Sequence, residues 1–406
     1  MFITNSFSYS ADSQSSLFMV KIMRITTVPV SLLVLLKNQL QFISKHYQVV
    51  AISSGGEQLD QVTQETAVRT IAVNMTRKVT PFKDLISLMN LIIQIRKERP
   101  LIVHTHTPKA GLLGMIAAKI TGVPIRLHTV AGLPLLEKTG LTRKVLNLTE
   151  KVTYSCATKI YPNSTKMMDL LVGYQYCQKS KLRVIGKGSS NGVDTTHFDP
   201  ELFTNDDISN IRTQLGFLEN DFVFSYIGRV VADKGINELV ESFVKINEVT
   251  NSTKLLLVGP FEDDLDPLQI KTQQLIDNHP SIKRIGFVKD VRPYLIVADV
   301  FVFPSYREGF PNVLMQAGAM GIPCIATDIN GCNEIIEHND NGLIIPVKDT
   351  VALYDAMHLL YNDRALLKSL AEHSRQKIRN DYETCYVMDE LLKEYRYQIE
   401  LHLAHQ

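Results

Sequence analysis

ADVFVFPSYREGFPNVLMQAGAMGIPCIATDINGCNEIIEHNDNG, residues 298 to 342, sets the reading of the chain around it. Val300 to Phe303 is a short β-branched and aromatic run bounded by Pro304 and Ser305, the pattern of a strand buried in a parallel sheet. Its carboxyl end opens into Arg307, Glu308, Gly309 and Phe310. A helix then starts at Pro311 or Asn312. Val313, Leu314, Ala317 and Met320 recur at helical spacing, Gly321 supplies the stop, and Pro323 leads into a strand from Cys324 to Ala326. The pattern predicts an acid, Glu308, just outside a strand's carboxyl end and beside a helix amino terminus.

Open α/β sheets bind ligands at that edge, and a helix amino terminus offers unpaired N–H groups and a positive dipole end to phosphate. Glu308 can meet sugar hydroxyls there while the backbone of Gly309, Phe310, Pro311, Asn312 and Val313 meets a diphosphate. A Glu in this position can also simply cap the helix or pair with Arg307. EGFPNVLMQ followed by A-x-A-x-G-x-P resembles the E-G-F-x-x-x-x-x-E signature of the retaining family-4 glycosyltransferases, which have the two-domain GT-B fold. In that family the second acid grips the nucleotide ribose. Here it is Gln316, which can still accept one hydrogen bond without the charge.

The alternation of strand and helix runs through the second half. Phe222–Gly228, Lys254–Gly259, Ile282–Val288, Val300–Phe303, Cys324–Ala326 and Gly342–Ile345 read as strands, which predicts a parallel sheet. Directly after the first of them come Gly228, Arg229 and Val230, then Asp233, Lys234 and Gly235. Arg229 and Lys234 supply a fork and a point charge suited to a diphosphate. The spacing matches the family's G-R-x-x-x-x-K-G pattern, which holds the donor diphosphate. Asn330 to Glu334 occupies the family's glycine turn near the donor sugar, with Gly331 permitting close backbone approach.

The first half repeats the scheme. Lys21–Thr27, Gln48–Ser53, Leu101–His104, Val123–Thr129 and Ile160–Asn163 are predicted strands, with helices over 31–46, 85–96 and 110–121 and Ser164 as a further cap. In the second helix Leu85, Leu88, Met89, Ile92 and Ile93 form one apolar stripe. His104 and His106 stand at i and i+2 on an extended segment, which points them to opposite faces and argues against a shared metal. HTHTPKAGLLG and VPIRLHTVAGL resemble the amino-terminal domains of family-4 enzymes that elongate lipid-linked saccharides. Where many of those carry a sugar-touching His, this chain has Ala131, and the resemblance leaves His106 and His128 as the substitutes. It also implies Lys109 and Gly132 on the acceptor side, together with Pro29 in the loop where relatives have a Gly-Gly turn.

LRVIGKGSSNGVD, residues 182 to 194, reads as a strand giving way to glycine turns and marks the boundary between domains. The predicted organisation is a disordered lead over 1–20, an acceptor-binding domain over 21–190, a nucleotide-sugar domain over 191–380, and a final helix over 381–406 packing back on the first domain. The lead carries no signal-peptide pattern, and Met19 and Met23 are possible alternative starts. No run of 18 apolar residues occurs, so no membrane span is predicted. The five cysteines show no C-x-x-C spacing, which excludes the common zinc and disulfide frames and suits a reducing cytoplasm.

The net charge of +1 conceals a split. Lys21 to Ser190 holds 24 Lys plus Arg against 8 Asp plus Glu, and residues 191–406 carry a net −14. A basic half implies an anionic surface or ligand, or attraction to the acidic half. An anionic membrane surface is one such partner: Lys37, Lys45, Arg77, Lys78, Lys83, Arg143 and Lys144 are the candidate contacts, with the apolar stretch Val28–Leu36 as a shallow one.

Together these readings predict an α/β protein of the GT-B fold, two Rossmann-like parallel-sheet domains facing a central cleft. The resemblance implies transfer of a sugar from a nucleoside diphosphate donor, UDP-linked for preference, to a lipid-linked saccharide in surface polysaccharide assembly. It implies retention at the anomeric carbon, no cofactor, no metal and no nucleic acid, on the cytoplasmic side of the membrane. The only D-x-D, Asp264 to Asp266, falls in a Pro-flanked acidic loop rather than at a strand end. Two rivals stand: a nucleotide-sugar epimerase on the same plan, and a catalytically weak nucleotide-sugar-binding subunit, suggested by Gln316 and Ala131.

Overall fold

The computed structural model describes residues 20–133, 139–250, 252–262 and 266–406. The predicted lead therefore lies, up to residue 19, outside the described residues, as do Asp264 and Leu265. One sheet is built from β1 (Lys21–Ile25), β2 (Gln48–Ser53), β3 (Arg69–Ala72), β4 (Ile102–Thr105), β5 (Ile125–Val130) and β6 (Lys159–Pro162), in the order β3-β2-β1-β4-β5-β6. The other comprises β7 (Phe222–Ile227), β8 (Thr253–Val258), β9 (Ile282–Ile285), β10 (Val300–Phe303), β11 (Cys324–Thr327) and β12 (Gly342–Ile345), in the order β12-β11-β10-β7-β8-β9. Every pairing within both is parallel. Read from its far edge, the second order repeats the first. Each sheet is wound outward in one direction from its first strand, then in the other from its fourth. The turning points lie between β1 and β4 and between β7 and β10.

The sheets belong to two compact units, one formed by residues up to Asn191 together with Val387–Gln406, the other by Gly192–Tyr386. Parallel sheets covered on both faces need strands that are apolar throughout. All six residues of β7 and all four of β10 are buried accordingly. Helix Asn312–Ala319 lies against helix Arg364–Asp381, and Gly318 makes the approach possible: a Cβ there would sit 2.7 Å from Ile378 Cγ1. In the first unit the closing helix, Thr384–Ala404, sends Leu391, Leu392, Tyr395 and Ile399 into the same core cluster as Ile22, Leu32 and Leu40.

Several local expectations are corrected. The sequence reading omitted helix Glu57–Thr66 and edge strand β3, which are short and polar, with two of the four β3 residues exposed. The strand expected from Leu182 is one bridge to Ile160, since the chain already turns at Gly186 with φ +57°. Helix formation after β1 begins at Pro29, earlier than Ser31, and passes through a π-helical stretch at Leu32–Leu36. Leu32 and Leu36 are buried there, while Val34 and Leu35 face outward. Helix Pro81–Glu98 buries Ser87, Leu91, Ile92 and Ile95, so Leu85, Met89 and Ile93 of the predicted stripe point away from the core.

Candidate functional site

The turning point of the second sheet gathers the loops that leave β7 and β10. Gly235 has φ +70°, and a Cβ on it would lie 2.1 Å from the carbonyl oxygen of Pro304, so only glycine lets the two loops touch. Lys234 is thereby held against the exit of β10. Its Nζ is 2.6 Å from Glu308 Oε1 and 3.4 Å from Ser305 Oγ. The Ser305 hydroxyl lies 3.0 Å from the same Glu308 oxygen, and Thr327 donates to the Ser305 carbonyl. Lys234 and Glu308 are only 13% and 18% exposed, so the pair is mostly withdrawn from water and resists screening.

Arg229 lies farther out, half exposed, donating to Glu262 Oε2 at 2.8 Å. That hydrogen bond strengthens its hold on the proton. Arg307 donates to Asp233 Oδ2 at 2.8 Å, and Asp233 N–H donates to Asp266. Asn330 donates to the Gly309 carbonyl at 2.7 Å. Gly331, with φ +79°, passes so close that a Cβ would meet that oxygen at 2.6 Å. These contacts fix the loop from Glu308 to Pro311, after which Asn312 and Val313 begin the helix with amides that have no partner inside it. Gly228, Arg229, Lys234, Glu308, Gly309, Asn312 and Val313 are thus brought to one edge of one sheet, with Gln316 one turn into the helix. The Phe310 ring packs on Tyr382 and Pro311 is buried, so these two contribute through backbone and shape.

The corresponding point in the first unit is a different kind of site. Arg24, on β1, is fully buried, and its partners are all neutral: His106 Nε2 at 2.9 Å, Tyr395 Oη at 3.0 Å, and the Gln39 carboxamide oxygen. A guanidinium can only donate, so His106 Nε2 is an acceptor and the neutral ring carries its proton on Nδ1. His106 Nδ1 has no hydrogen-bond partner among the described residues. Burial and the nearby Arg24 charge hold both His104 and His106 well below the usual imidazole range. The two rings lie with centroids 4.1 Å apart, which corrects the expectation of opposite faces. Strand alternation ends at Thr105, and His106 already belongs to the turn into helix Pro108–Ile120. The turn is tied back to β1 by Thr27, whose N–H donates to Thr107 Oγ1 at 3.0 Å.

The remaining predicted residues are scattered. His128 is enclosed beneath helix Pro108–Ile120, bonded to Thr105 at 2.7 Å and so close to Gly111 that a Cβ there would overlap its ring. Burial lowers its pKa to about 4. Lys109 is paired with Asp84 at 2.7 Å. Pro29 is buried at a helix start, and a Cβ on Gly132 would meet no atom of the described residues within 4 Å. Ser305, Glu262, Arg24 and Tyr395 were missed. Only Arg24 left a clear signal, a charge inside the otherwise apolar KIMRI. Among the described residues no three His, Cys, Asp or Glu side chains are grouped to hold a metal.

Twin doubly wound sheets, with a Lys–Ser–Glu cluster and an outer Arg at the turning point of the second, place fixed charges at the edge where open α/β sheets bind ligands. Residues 221–363 match the family model described as glycosyl transferases group 1, and residues 42–188 match the glycosyl transferase 4-like domain. The chain belongs to this glycosyltransferase family and has its GT-B fold. It is 34% identical over 372 residues to the capsular polysaccharide biosynthesis glycosyltransferase CapM of Staphylococcus aureus, covering 91% of this chain and 95% of that one. It is 29% identical to the UDP-Gal:alpha-D-GlcNAc-diphosphoundecaprenol alpha-1,3-galactosyltransferase of Escherichia coli, over 78% of this chain and 80% of that one. Among solved structures, Anabaena HepE in complex with UDP superposes with a TM-score of 0.76 at 17% identity, covering 93% of this chain and all of that one.

Proposed function

We propose that the protein transfers a sugar from a UDP-linked donor to a saccharide carried on a lipid diphosphate, with retention at the anomeric carbon, in the assembly of a surface polysaccharide. The carrying observation is the Lys234–Ser305–Glu308 cluster at the turning point of the second sheet, with Arg229 beside it. As the glycosidic bond breaks, negative charge builds on the leaving diphosphate. Lys234, Arg229 and the amides that open helix Asn312–Ala319 are fixed cationic and dipolar groups that oppose that charge. Glu308 accepts hydrogen bonds from donor-sugar hydroxyls, and Gln316 accepts one from the ribose. On the acceptor side, the Nδ1–H of His106 is offered as a donor, with Arg24 holding the tautomer. The named activities of the capsular and diphosphoundecaprenol-dependent relatives support the acceptor class, and the UDP complex of HepE supports the nucleotide.

The test is calorimetry with nucleoside diphosphates, followed by transfer from the sugar form that binds onto a synthetic polyprenyl-diphosphate saccharide, with the anomeric configuration read by NMR. UDP binding and an axial-to-axial outcome are expected. Binding of no nucleoside diphosphate, inversion, or sugar interconversion without an acceptor would each overturn the reading.

A further inference from the structure

Helix Pro81–Glu98 in the first unit turns its more apolar side to solvent. Phe82, Ile86, Met89 and Ile93, spaced by four, three and four residues, are 88%, 62%, 51% and 55% exposed, with Leu85 beside them at 59%. That spacing places all five within about a third of the helix circumference. The opposite face, Ser87, Leu91 and Ile95, already fills the core, so the outward stripe plays no part in holding the unit together. Contiguous exposed apolar surface of this extent marks an interaction site.

The charges around the stripe identify its partner. Both acids of the helix are turned inward and neutralised, Asp84 by Lys109 and Glu98 by Lys21 and Arg69. Lys83, Arg96 and Lys97 stay exposed with no ion pair among the described residues, and Arg77, Lys78 and Val79 are exposed just before the helix. An apolar stripe with only positive flanks repels a second copy of itself and suits an anionic lipid surface. A second stripe points the same way. Leu141, Val145 and Leu148 are outward on helix Gly140–Cys156, and this helix and Pro81–Glu98 both pack against helix Pro108–Ile120. Crossover helices run against their strands, so Phe82 and Leu141, in the first turns, lie toward the carboxyl edge of the sheet, where His106 stands.

We infer that this face, led by Phe82, Ile86, Met89 and Ile93, docks the protein on an anionic phospholipid bilayer and places the carboxyl edge of the first sheet at the headgroups. This deepens the reading of a lipid-linked acceptor, and it is testable without any sugar transfer. Full-length protein is cosedimented with vesicles of phosphatidylcholine alone or mixed with phosphatidylglycerol, over a range of salt. Binding is expected only to the mixed vesicles and declines as salt rises. The variant Phe82→Ser/Ile86→Ser/Ile93→Ser lowers partition by about tenfold or more. Lys83→Gln/Arg96→Gln/Lys97→Gln flattens the salt dependence, while Ile270→Ser/Phe287→Ser, exposed in the second unit, changes nothing. An unaltered circular-dichroism spectrum and melting transition show that the first unit is folded in every variant, and unaltered UDP affinity separates this proposal from the catalytic one. Wild-type protein that ignores the mixed vesicles, a triple variant that binds them equally well, or self-association in sedimentation velocity that the apolar variant abolishes would overturn it.

Discussion

Replacing Glu308 with Gln separates a catalytic carboxylate from a structural cap. In the wild type Glu308 Oε1 sits 2.6 Å from the Lys234 ammonium and 3.0 Å from the Ser305 hydroxyl. Gln keeps the shape and one acceptor but loses the charge. Each charge-assisted hydrogen bond to a sugar hydroxyl that is lost costs about 1.5–3 kcal/mol, so turnover falls roughly 10- to 150-fold per bond. The same change releases Lys234 from its ion pair and leaves its charge available to phosphate, so UDP affinity holds or rises. The predicted signature is therefore a drop in kcat with unweakened UDP binding, measured by transfer kinetics and calorimetry on the same preparation. A Glu308 that only capped the helix would give the reverse, a lower melting temperature with turnover intact. Retention of more than half the wild-type turnover, or a tenfold loss of UDP affinity, would refute the reasoning.

Lys234→Ala weakens UDP far more than uridine, and Arg229→Ala does so to a smaller extent because Arg229 is half exposed and shared with Glu262; equal losses for both ligands in calorimetry would remove these residues from the diphosphate site. Tyr395→Phe deprives Arg24 and His104 of a shared partner in a dry interior and costs about 1–3 kcal/mol in urea unfolding, with no cost measured meaning that the network is dispensable. Burial places His128 at about pKa 4 against 6.5 when unfolded, so the unfolded chain binds the extra proton and stability is lost as pH falls from about 6.5 to 4, by roughly 3 kcal/mol from this residue alone. His104 and His106 act in the same direction, and unfolding free energies that stay flat between pH 7 and 5 would contradict the assignment.

The second sheet was legible because parallel strands covered on both faces must be apolar throughout, and β10 and β12 carry their own boundaries in Pro304 and Gly342. The cluster of charges at its edge was legible through residue type: Arg229, Lys234 and Glu308, which the structure gathers there. What escaped was set by contacts remote in sequence. Ser305 matters only because β7 and β10 are neighbours, and Arg24 only because Tyr395 reaches it. Helix Pro81–Glu98 shows a different limit. Periodicity reports that a face is apolar but not what covers it, and here the larger apolar face looks outward while the core takes the side that also holds Asp84 and Glu98. For His128, residue type suggested chemistry, and what the sequence did not reveal is that the ring is enclosed in the space left by Gly111.

The bond between Arg24 and Tyr395 joins residues 371 positions apart, so translation delivers the buried charge long before its partner. At 5–20 residues per second the delay is roughly 20–70 s. Throughout it the first unit lacks the segment Val387–Gln406 that shares its core, while the second unit, Gly192–Tyr386, can complete itself without waiting. The domain made first is therefore finished last. A ribosome stalled, or a chain clipped, within Val387–Gln406 would leave the later-made half whole and the earlier one open, its guanidinium still held by His106 and Gln39 but stripped of Tyr395.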